Sequence, residues 1–193
     1  MKNPDAILGN MSKVGKPQKK FLSELFNIMF CITGRYNFSN LSRFSTYSER
    51  SIRRWFARNF DFALFNMRLI ALLPFGRMVA SIDASAFTKA GRKTHGKGRF
   101  WSGCLGQTIS GIEISCIALV HLKFKTAFNL SVQQTDGQLK GEESRIDQYI
   151  KQFLSVLPHL KKHTRFMIAD GFYAKKKFVY AVVNSGFDII SKL

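Results

Sequence analysis

The stretch Ser81-Ile82-Asp83-Ala84-Ser85 decides the fold, because it places one acid inside a run of small and apolar residues. Such a run predicts a buried strand, and a carboxylate in a buried strand is costly unless it is paired or binds a metal. The pattern recurs in Phe166-Met167-Ile168-Ala169-Asp170-Gly171, where Asp170 stands at the end of an apolar strand. If the two strands are neighbours in one sheet, both carboxylates meet at one edge.

Paired carboxylates predict a divalent-metal site, because hard oxygen ligands suit Mg²⁺ or Mn²⁺. Two such ions, roughly 3.5–4 Å apart, activate the attacking oxygen and stabilise the leaving oxygen when a phosphodiester is displaced. Each acid alone has an ordinary alternative as a cap or turn residue, and Asp170-Gly171 is a common turn pair. The two acids together, matched to the strand order, are more specific than either one.

The residues that follow the first acid are strongly basic. Phe87 to Arg99, FTKAGRKTHGKGR, is rich in glycine and predicts a mobile loop rather than a packed element. A solvated loop is the ordinary alternative, but its place directly after the acid favours contact with DNA phosphates. The candidate DNA-binding residues of this loop are Lys89, Arg92, Lys93, Lys97 and Arg99.

Beyond the loop, the pattern alternates strands with helices and predicts a mixed α/β (α+β) fold. Two strands joined at Ser110-Gly111 are expected to form a hairpin, and a third strand follows. The clearest helix is 142–160, where apolar residues recur with helical spacing. The remaining elements are a strand at 165–169 that leads to Asp170, a helix at 173–184 and a strand that begins at Phe187.

Residues 18–74 are predicted to be helical, behind a loose basic arm at 1–17. Thr46 and Glu49 match a capping box, and the helix that they open carries Arg50, Arg53, Arg54 and Arg58 opposite an apolar side. Two short helices, a tight turn and an arginine-bearing third helix are typical of a helix-turn-helix. An ordinary three-helix packing unit with a solvated basic face explains the same pattern.

The composition points to a polyanion as partner. Lys and Arg number 30 against 12 Asp and Glu, a formal charge of +18, and this excess favours nucleic acid over a membrane surface or a merely solvated one. The N-terminus lacks the apolar core of a signal peptide. Pro74 and Arg77 interrupt the apolar run 69–80, which therefore does not predict a membrane span. A cytoplasmic protein is expected.

Several other residues are interpreted as structural. The three cysteines are widely spaced without a CxxC pair, so we expect small buried hydrophobes rather than zinc ligands. Trp55 and Trp101 are interpreted as packing residues. His159 and His163 lie four apart, but the two lysines between them would repel a cation.

Three stretches make the chain similar to a known family. They are SIDASAFTKAGRKTHGKGRFWSG around Asp83, NLSVQQTD in the middle and FMIADGFYAKKKFVYAVVNSGFDIISKL around Asp170. From about residue 18 onward, the chain resembles bacterial insertion-sequence transposases of the DDE superfamily, in the branch named after insertion sequence four. The resemblance implies a ribonuclease-H-like core behind a helical DNA-binding region, with Asp83 and Asp170 as the first and second catalytic acids.

The resemblance also implies partners and cofactors. It implies two Mg²⁺ or Mn²⁺ ions, cleavage at transposon ends, and attack of the freed 3′-hydroxyl on target DNA. The partner would be double-stranded DNA, as terminal repeats and as target, with no membrane and with a homodimer on DNA as one assembly. A cytoplasmic, nucleoid-associated location follows.

The expected domains are a basic arm at 1–17, a helical DNA-binding region at 18–74 and a ribonuclease-H-like catalytic domain at 75–193. The family implies a third acid, a Glu on a helix beyond the strand that begins at Phe187. Asp188 lies within that strand and is a poor substitute, so the core is expected to be incomplete. We therefore expect a truncated copy that binds DNA and neither cuts nor joins it.

Two other functions stay open. One is a non-catalytic, sequence-specific DNA-binding protein or regulator derived from a transposase, which would use the N-terminal helices. The other is a general metal-dependent nuclease. Binding to candidate terminal repeats separates specific recognition from bulk charge attraction, because the latter fades uniformly as salt rises.

Overall fold

Residues 1–61 form a helical unit, and residues 62–193 form a second unit built on a sheet. The computed structural model describes residues 4–139, 141 and 143–191. The helices of the first unit are α1 (Pro4–Gly9), α2 (Lys16–Cys31), α3 (Phe38–Arg43) and α4 (Glu49–Phe56). Within the described residues, no helix is both long and apolar enough to cross a lipid bilayer.

The N-terminal segment is not the loose arm that its prolines and glycines predicted. Its apolar side chains, spaced three or four apart, are buried and hold α1 against the rest of the helical unit; they are Ile7, Leu8, Met11 and Val14. Helix α2 begins one residue before Pro17, a position that tolerates proline because the first turn needs no N–H donor. Its buried face is Phe21, Leu22, Leu25 and Ile28.

The turn between α3 and α4 is held by a carboxylate of α2. Glu24 accepts hydrogen bonds from Ser45 Oγ at 2.6 Å and from Thr46 Oγ1 at 2.7 Å. Burial raises the pKa of Glu24, but the hydrogen bonds from Ser45 and Thr46 outweigh it and leave the pKa lowered. The N-cap of α4 is therefore Ser48, whose Oγ accepts from Ser51 N, and not Thr46 as the sequence predicted.

The second unit begins with a helix that the sequence assigned to the DNA-binding region. Ile70, at the end of this helix, is buried in the main core, so the expected boundary near residue 74 lies instead after Asp61. The elements in order are α5 (Phe62–Ile70), β1 (Met78–Thr88), β2 (Gly98–Ser102), β3 (Gln107–His121), β4 (Thr126–Thr135), α6 (Arg145–Leu160), β5 (Phe166–Ala169), α7 (Lys176–Asn184) and β6 (Asp188–Ser191).

The hairpin turn lies elsewhere than predicted. Strand β3 runs through Ser110-Gly111, and the chain reverses at residues 103–106, where Gly106 has a φ of +59°. Gly111 serves a different purpose: a Cβ there would lie 1.9 Å from the carbonyl oxygen of Phe87. Glycine at this position allows β1 and β3 to approach closely, which is the other common reason for glycine in a strand.

The sheet is mixed, which confirms the predicted α/β class. Its order is β2-β3-β1-β5-β6. Strand β4 pairs with the same edge of β3 as β2 does, but farther along that strand, at residues 113–121 rather than 107–111. Strands β1, β2, β3 and β4 pair antiparallel, whereas β5 pairs parallel with both β1 and β6. This order, with helices ahead of it, is compatible with the ribonuclease-H-like core that the resemblance implies.

Strand alternation gives the sheet two unlike faces. On the covered face, the even-numbered residues of β1 and the odd-numbered residues of β3 pack in one core with α6 and α7; they include Ala80, Ile82, Ile117, Leu119, Phe153, Val156, Phe178 and Val182. On the open face, most of the alternate residues remain solvent-exposed or half-buried, with Ala118 buried as an exception, and Val132, Phe166, Ile168 and Ile190 are exposed.

Candidate functional site

The structure brings the two predicted metal-binding acids together. Strands β1 and β5 are parallel neighbours with Ser81 opposite Ile168 and Ile82 opposite Ala169. The next position on each strand is Asp83 on β1 and Asp170 after β5. Neighbouring strands lie roughly 4.8 Å apart, so the pairing places Asp83 and Asp170 at neighbouring backbone positions where the β1–β5 pairing ends.

Both carboxylates lie on the open face, which corrects the expectation that Asp83 is buried. Asp83 and Asp170 are exposed, because Ile82 and Ala84 take the core side of β1 and alternation turns Asp83 outward. Burial is therefore not what makes the pair unusual. Two like charges at this separation repel each other, and a divalent cation between them would relieve that repulsion.

The backbone around Asp170 holds its carboxylate in place. Its Oδ1 accepts a hydrogen bond from Phe172 N at 3.0 Å, at the start of a 3-10 turn over Gly171–Tyr173. Tyr173 anchors that turn, because its ring is fully buried against Tyr149 and Phe178. Ser191 Oγ donates to the carbonyl oxygen of Asp170 at 2.9 Å, which ties the end of β5 to β6.

A thiol lies opposite Asp83 on the other neighbouring strand. Cys116 is in register with Asp83, and its Sγ lies 3.2 Å from Asn129 Oδ1. Burial, followed by the negative charge of Asp83, raises the pKa of Cys116, so the group stays a neutral thiol and a poor metal ligand. The predicted burial of the cysteines is wrong for Cys31 and Cys104, which are exposed.

The donor set fits a hard divalent cation held by two residues. Asp83 and Asp170 would supply oxygen ligands, and open solvent would supply water for the remaining positions. Across residues 4–139, 141 and 143–191, no group of three or more Asp, Glu, His or Cys side chains is placed to hold a metal. The pair would therefore bind Mg²⁺ or Mn²⁺ weakly.

The basic loop is shorter and better fastened than the sequence predicted. Strand β1 continues to Thr88 and β2 begins at Gly98. Gln134 Nε2 on β4 donates to His95 O at 2.6 Å, and Lys97 Nζ lies 3.3 Å from the carbonyl oxygens of both Ala90 and Gly91. Lys97 is thus engaged with its own loop, while the exposed cations are Lys89, Arg92, Lys93 and Arg99.

The arginines on α4, with Arg58 just after its end, form the second candidate DNA-binding surface. All four are exposed; they are Arg50, Arg53, Arg54 and Arg58. Arg53 pairs with Glu49 at 2.5 Å and lies 4.6 Å from the Phe38 ring, and Arg58 lies 5.2 Å from the Trp55 ring. The order α3, turn, α4 keeps both the helix-turn-helix and the packing-unit interpretations open. Trp55 packs on Phe21 at 5.6 Å, as predicted.

Two exposed aromatic residues on the same face as the acids were missed by the sequence analysis. Trp101 was interpreted as a packing residue, yet 63% of it is exposed, and Phe87 is 51% exposed. The signal that could have found Trp101 is strand alternation, since Phe100 beside it is fully buried and neighbours along a strand point to opposite faces. Both residues lie on the open face.

Comparisons with known proteins are sparse. No family model matches the chain, and no curated protein matches it. Two solved structures of Ciona intestinalis endonuclease V, each in complex with DNA containing an inosine followed by a ribo-adenosine, are similar at 10% identity with TM-scores of 0.36 and 0.32. Each match covers 75% of this chain and only 57% or 58% of the endonuclease, so the chain spans less than three fifths of those proteins.

Proposed function

We propose that this chain carries the metal-binding acids of a DNA phosphoryl-transfer protein of the DDE transposase type, in the insertion-sequence-four branch. One observation carries the proposal: Asp83 and Asp170 each directly follow Ile82 and Ala169, the last residue pair of the adjacent parallel strands β1 and β5. The two acids are 87 positions apart along the chain, so only the fold brings them together.

The chemistry of such a site is displacement at a phosphodiester. A bound divalent ion would supply Lewis-acid stabilisation of oxygen charge there. Asp83 and Asp170 would bind it, with Asp170 oriented by the N–H of Phe172. The exposed cations of the loop that follows β1 would hold the DNA backbone beside the acids, because phosphate contacts fix position rather than sequence.

Binding to double-stranded DNA is supported by charge. The chain carries +18, and exposed cations cluster on the loop at 89–97 and on α4. We propose transposon end repeats and target DNA as the natural duplexes. Phosphate contacts alone weaken by the same factor for every duplex as salt rises. Recognition of an end repeat would therefore leave an affinity for that repeat, above the affinity for other duplexes, that persists at high salt.

A second candidate is a DNA-binding protein without catalytic activity, for which the donor set is the specific observation. Two acids with no third ligand beside them in the described residues make weak metal binding and no strand cleavage the expected behaviour of the chain. The two candidates share the DNA surface and differ in whether the acid pair takes up a metal.

The deciding experiment measures Mn²⁺ binding to the full chain by electron paramagnetic resonance or calorimetry. We expect binding that is lost in Asp83→Asn and in Asp170→Asn. A matched control is Asp136→Asn, which changes an exposed turn acid whose side-chain oxygen accepts from Gln138 N, a bond that asparagine can keep. Equal Mn²⁺ binding by all four proteins would contradict the proposal.

A parallel assay follows a labelled end repeat with Mg²⁺ or Mn²⁺ present. The expected result is binding without cutting or joining. Strand transfer that disappears in Asp83→Asn would reject the non-catalytic candidate and support the transposase directly.

A further inference from the structure

The open face carries a line of side chains that leads away from the acid pair. Strand β3 provides the common register: Cys116 lies opposite Asp83, Ile112 opposite Phe87, Ser110 opposite Arg99 and Thr108 opposite Trp101. These positions on β3 are all even-numbered, so their partners on β1 and β2 share the open face. Asp83, Phe87, Arg99 and Trp101 are called the open-face track below.

The members of the track follow one another along β3. At about 3.3 Å per residue along β3, Phe87 lies about 13 Å from the level of Asp83, Arg99 about 20 Å and Trp101 about 26 Å. An aromatic ring, a guanidinium and a second aromatic ring therefore follow the acids in order. All three are exposed, whereas Phe100 and Ile109, on the other face of the same strands, are buried.

The charge around the track favours an anion. No acid occurs from Ala84 to Ile112, while Lys89, Arg92, Lys93, Lys97 and Arg99 fall in that range. A second copy of the chain would bring more positive charge to this face. A basic surface interrupted by exposed aromatic rings is the pattern by which proteins bind single-stranded nucleic acid: cations follow the backbone and bases stack on the rings.

We propose that the open-face track binds an unpaired DNA strand, with bases stacked on Phe87 and Trp101 and a phosphate on Arg99. This rests on the proposed function, because the strand would run toward the acids that act on it. A duplex hides its base faces in the stack and cannot use the rings in this way. The track is about 26 Å long by the same strand rise, enough for several nucleotides, and single-strand sites of about 4–16 nucleotides are common.

The first test measures binding of a fluorescent single-stranded oligothymidine to the full chain without metal. Trp101→Ala should weaken binding roughly five- to hundredfold, the range found when a stacking residue is removed. Trp101→Phe, which keeps an aromatic face, should stay close to wild type. The matched control is Leu105→Ala in the turn of the same hairpin, an exposed apolar residue off the track, and it should have no effect.

The second test separates stacking from charge. In a Trp55→Phe background, Trp101 is the only tryptophan, and its fluorescence should be quenched by the single strand and not by a duplex of the same sequence. The loss caused by Trp101→Ala should be the same at low and high salt. Arg99→Gln should instead reduce the slope of log affinity against log salt by about 0.7.

Three outcomes would overturn the track. They are an equal loss of duplex affinity in Trp101→Ala, no quenching by the single strand, or a change in oligomeric state caused by the substitution, which would indicate a protein partner. Failure of the proposed function would look different: Asp83→Asn and Asp170→Asn would keep wild-type Mn²⁺ binding while Trp101→Ala still lost the single strand.

Discussion

The two faces of the sheet differ although the same strands build both. On the covered face, Ala80, Ile117 and Leu119 are fully buried beneath α6 and α7. Next to the buried Ile82 and Ile117 along the same strands, Asp83 and Cys116 lie on the open face, and Val132 there is 58% exposed. Stability and the candidate chemistry are therefore carried by alternate residues, so substitutions on one face should leave the property of the other intact.

The covered face is not purely apolar. Tyr149 Oη on α6 donates to the buried carboxylate of Glu113, and Gln152 Nε2 donates to Ser115 O and to Ser131 Oγ, both at 3.1 Å. Burial, followed by the hydrogen bond to Glu113, raises the pKa of Tyr149, so the phenol stays a donor. Buried polar groups of this kind are tolerated only while each keeps its partner.

The largest expected effect is a break in the covered face. Phe153 on α6 is fully buried, and its ring packs edge-on against Phe187 at 5.6 Å. Phe153→Ala should lower the free energy of unfolding by about 3–5 kcal/mol, measured by urea unfolding followed through Trp101 fluorescence in the Trp55→Phe background. Val132→Ala on the open face should change it by less than about 0.5 kcal/mol. Similar losses for the two would contradict the division between the faces.

The next effect comes from the buried hydrogen bond. Tyr149→Phe leaves the Glu113 carboxylate without its phenol donor and should cost about 1–3 kcal/mol, measured by the same unfolding assay. Adding Glu113→Leu removes the stranded group, so the double variant should be more stable than the sum of the two single losses. Strict additivity would mean that the two groups do not interact.

A third, smaller effect is the pH dependence of the covering helices. Asp147, in the first turn of α6, pairs with Lys177 of α7 and accepts hydrogen bonds from Ser144 N and Oγ at 2.9 and 2.6 Å. The hydrogen bonds from Lys177 and then from Ser144 lower the pKa of Asp147 well below its usual 3.8. A lowered carboxyl pKa stabilises the fold above the unfolded value, and that contribution is lost as pH falls through the folded value.

The measurement compares the wild type with Asp147→Asn across pH. Their difference in melting temperature should be largest above pH 5 and should shrink as pH falls below 3.8. High salt should also reduce it, because the ion pair is solvent-accessible. A difference that stays constant from pH 6 to pH 3 would show that the charge of Asp147 does not contribute to stability and that the substitution acts through the shape of the side chain alone.

Much of this division could be read from residue types, and its limits are physical. Alternation of Ile82, Asp83 and Ala84 predicts a strand with one apolar and one polar side. Because an acid directly follows an apolar residue both at 82 and at 169, the two acids can be matched to each other. Which side solvent reaches depends on where α6 and α7 pack, and periodicity does not show what covers a face. Asp83 was therefore predicted to be buried when it is exposed.

The same limit explains the other differences. The helix at 62–70 is predictable from the sequence. Its packing on the sheet is not, because the apolar residues of a helix do not specify which element they will contact. Ser110-Gly111 is a residue pair typical of turns, but Gly111 lies within β3 and allows β1 to approach it closely. The pairing of Trp101 with Thr108 depends on the hairpin register, which the turn at 103–106 sets, so the open-face track follows from the structure alone.

The smallest expected effect, and the sharpest test of the open face, is Asp83→Asn in metal-free protein. The strand pairing puts two like charges on neighbouring strands, and both are exposed, so removing one charge should leave stability unchanged or raise it by up to about 0.5 kcal/mol. Ser85→Ala, two residues along on the same face, serves as control. Thermal unfolding in a chelator measures both. If Asp83→Asn alone lowers the free energy of unfolding by more than about 1 kcal/mol, the carboxylate stabilises the fold, and its role as a metal ligand is not needed to explain its place on the strand.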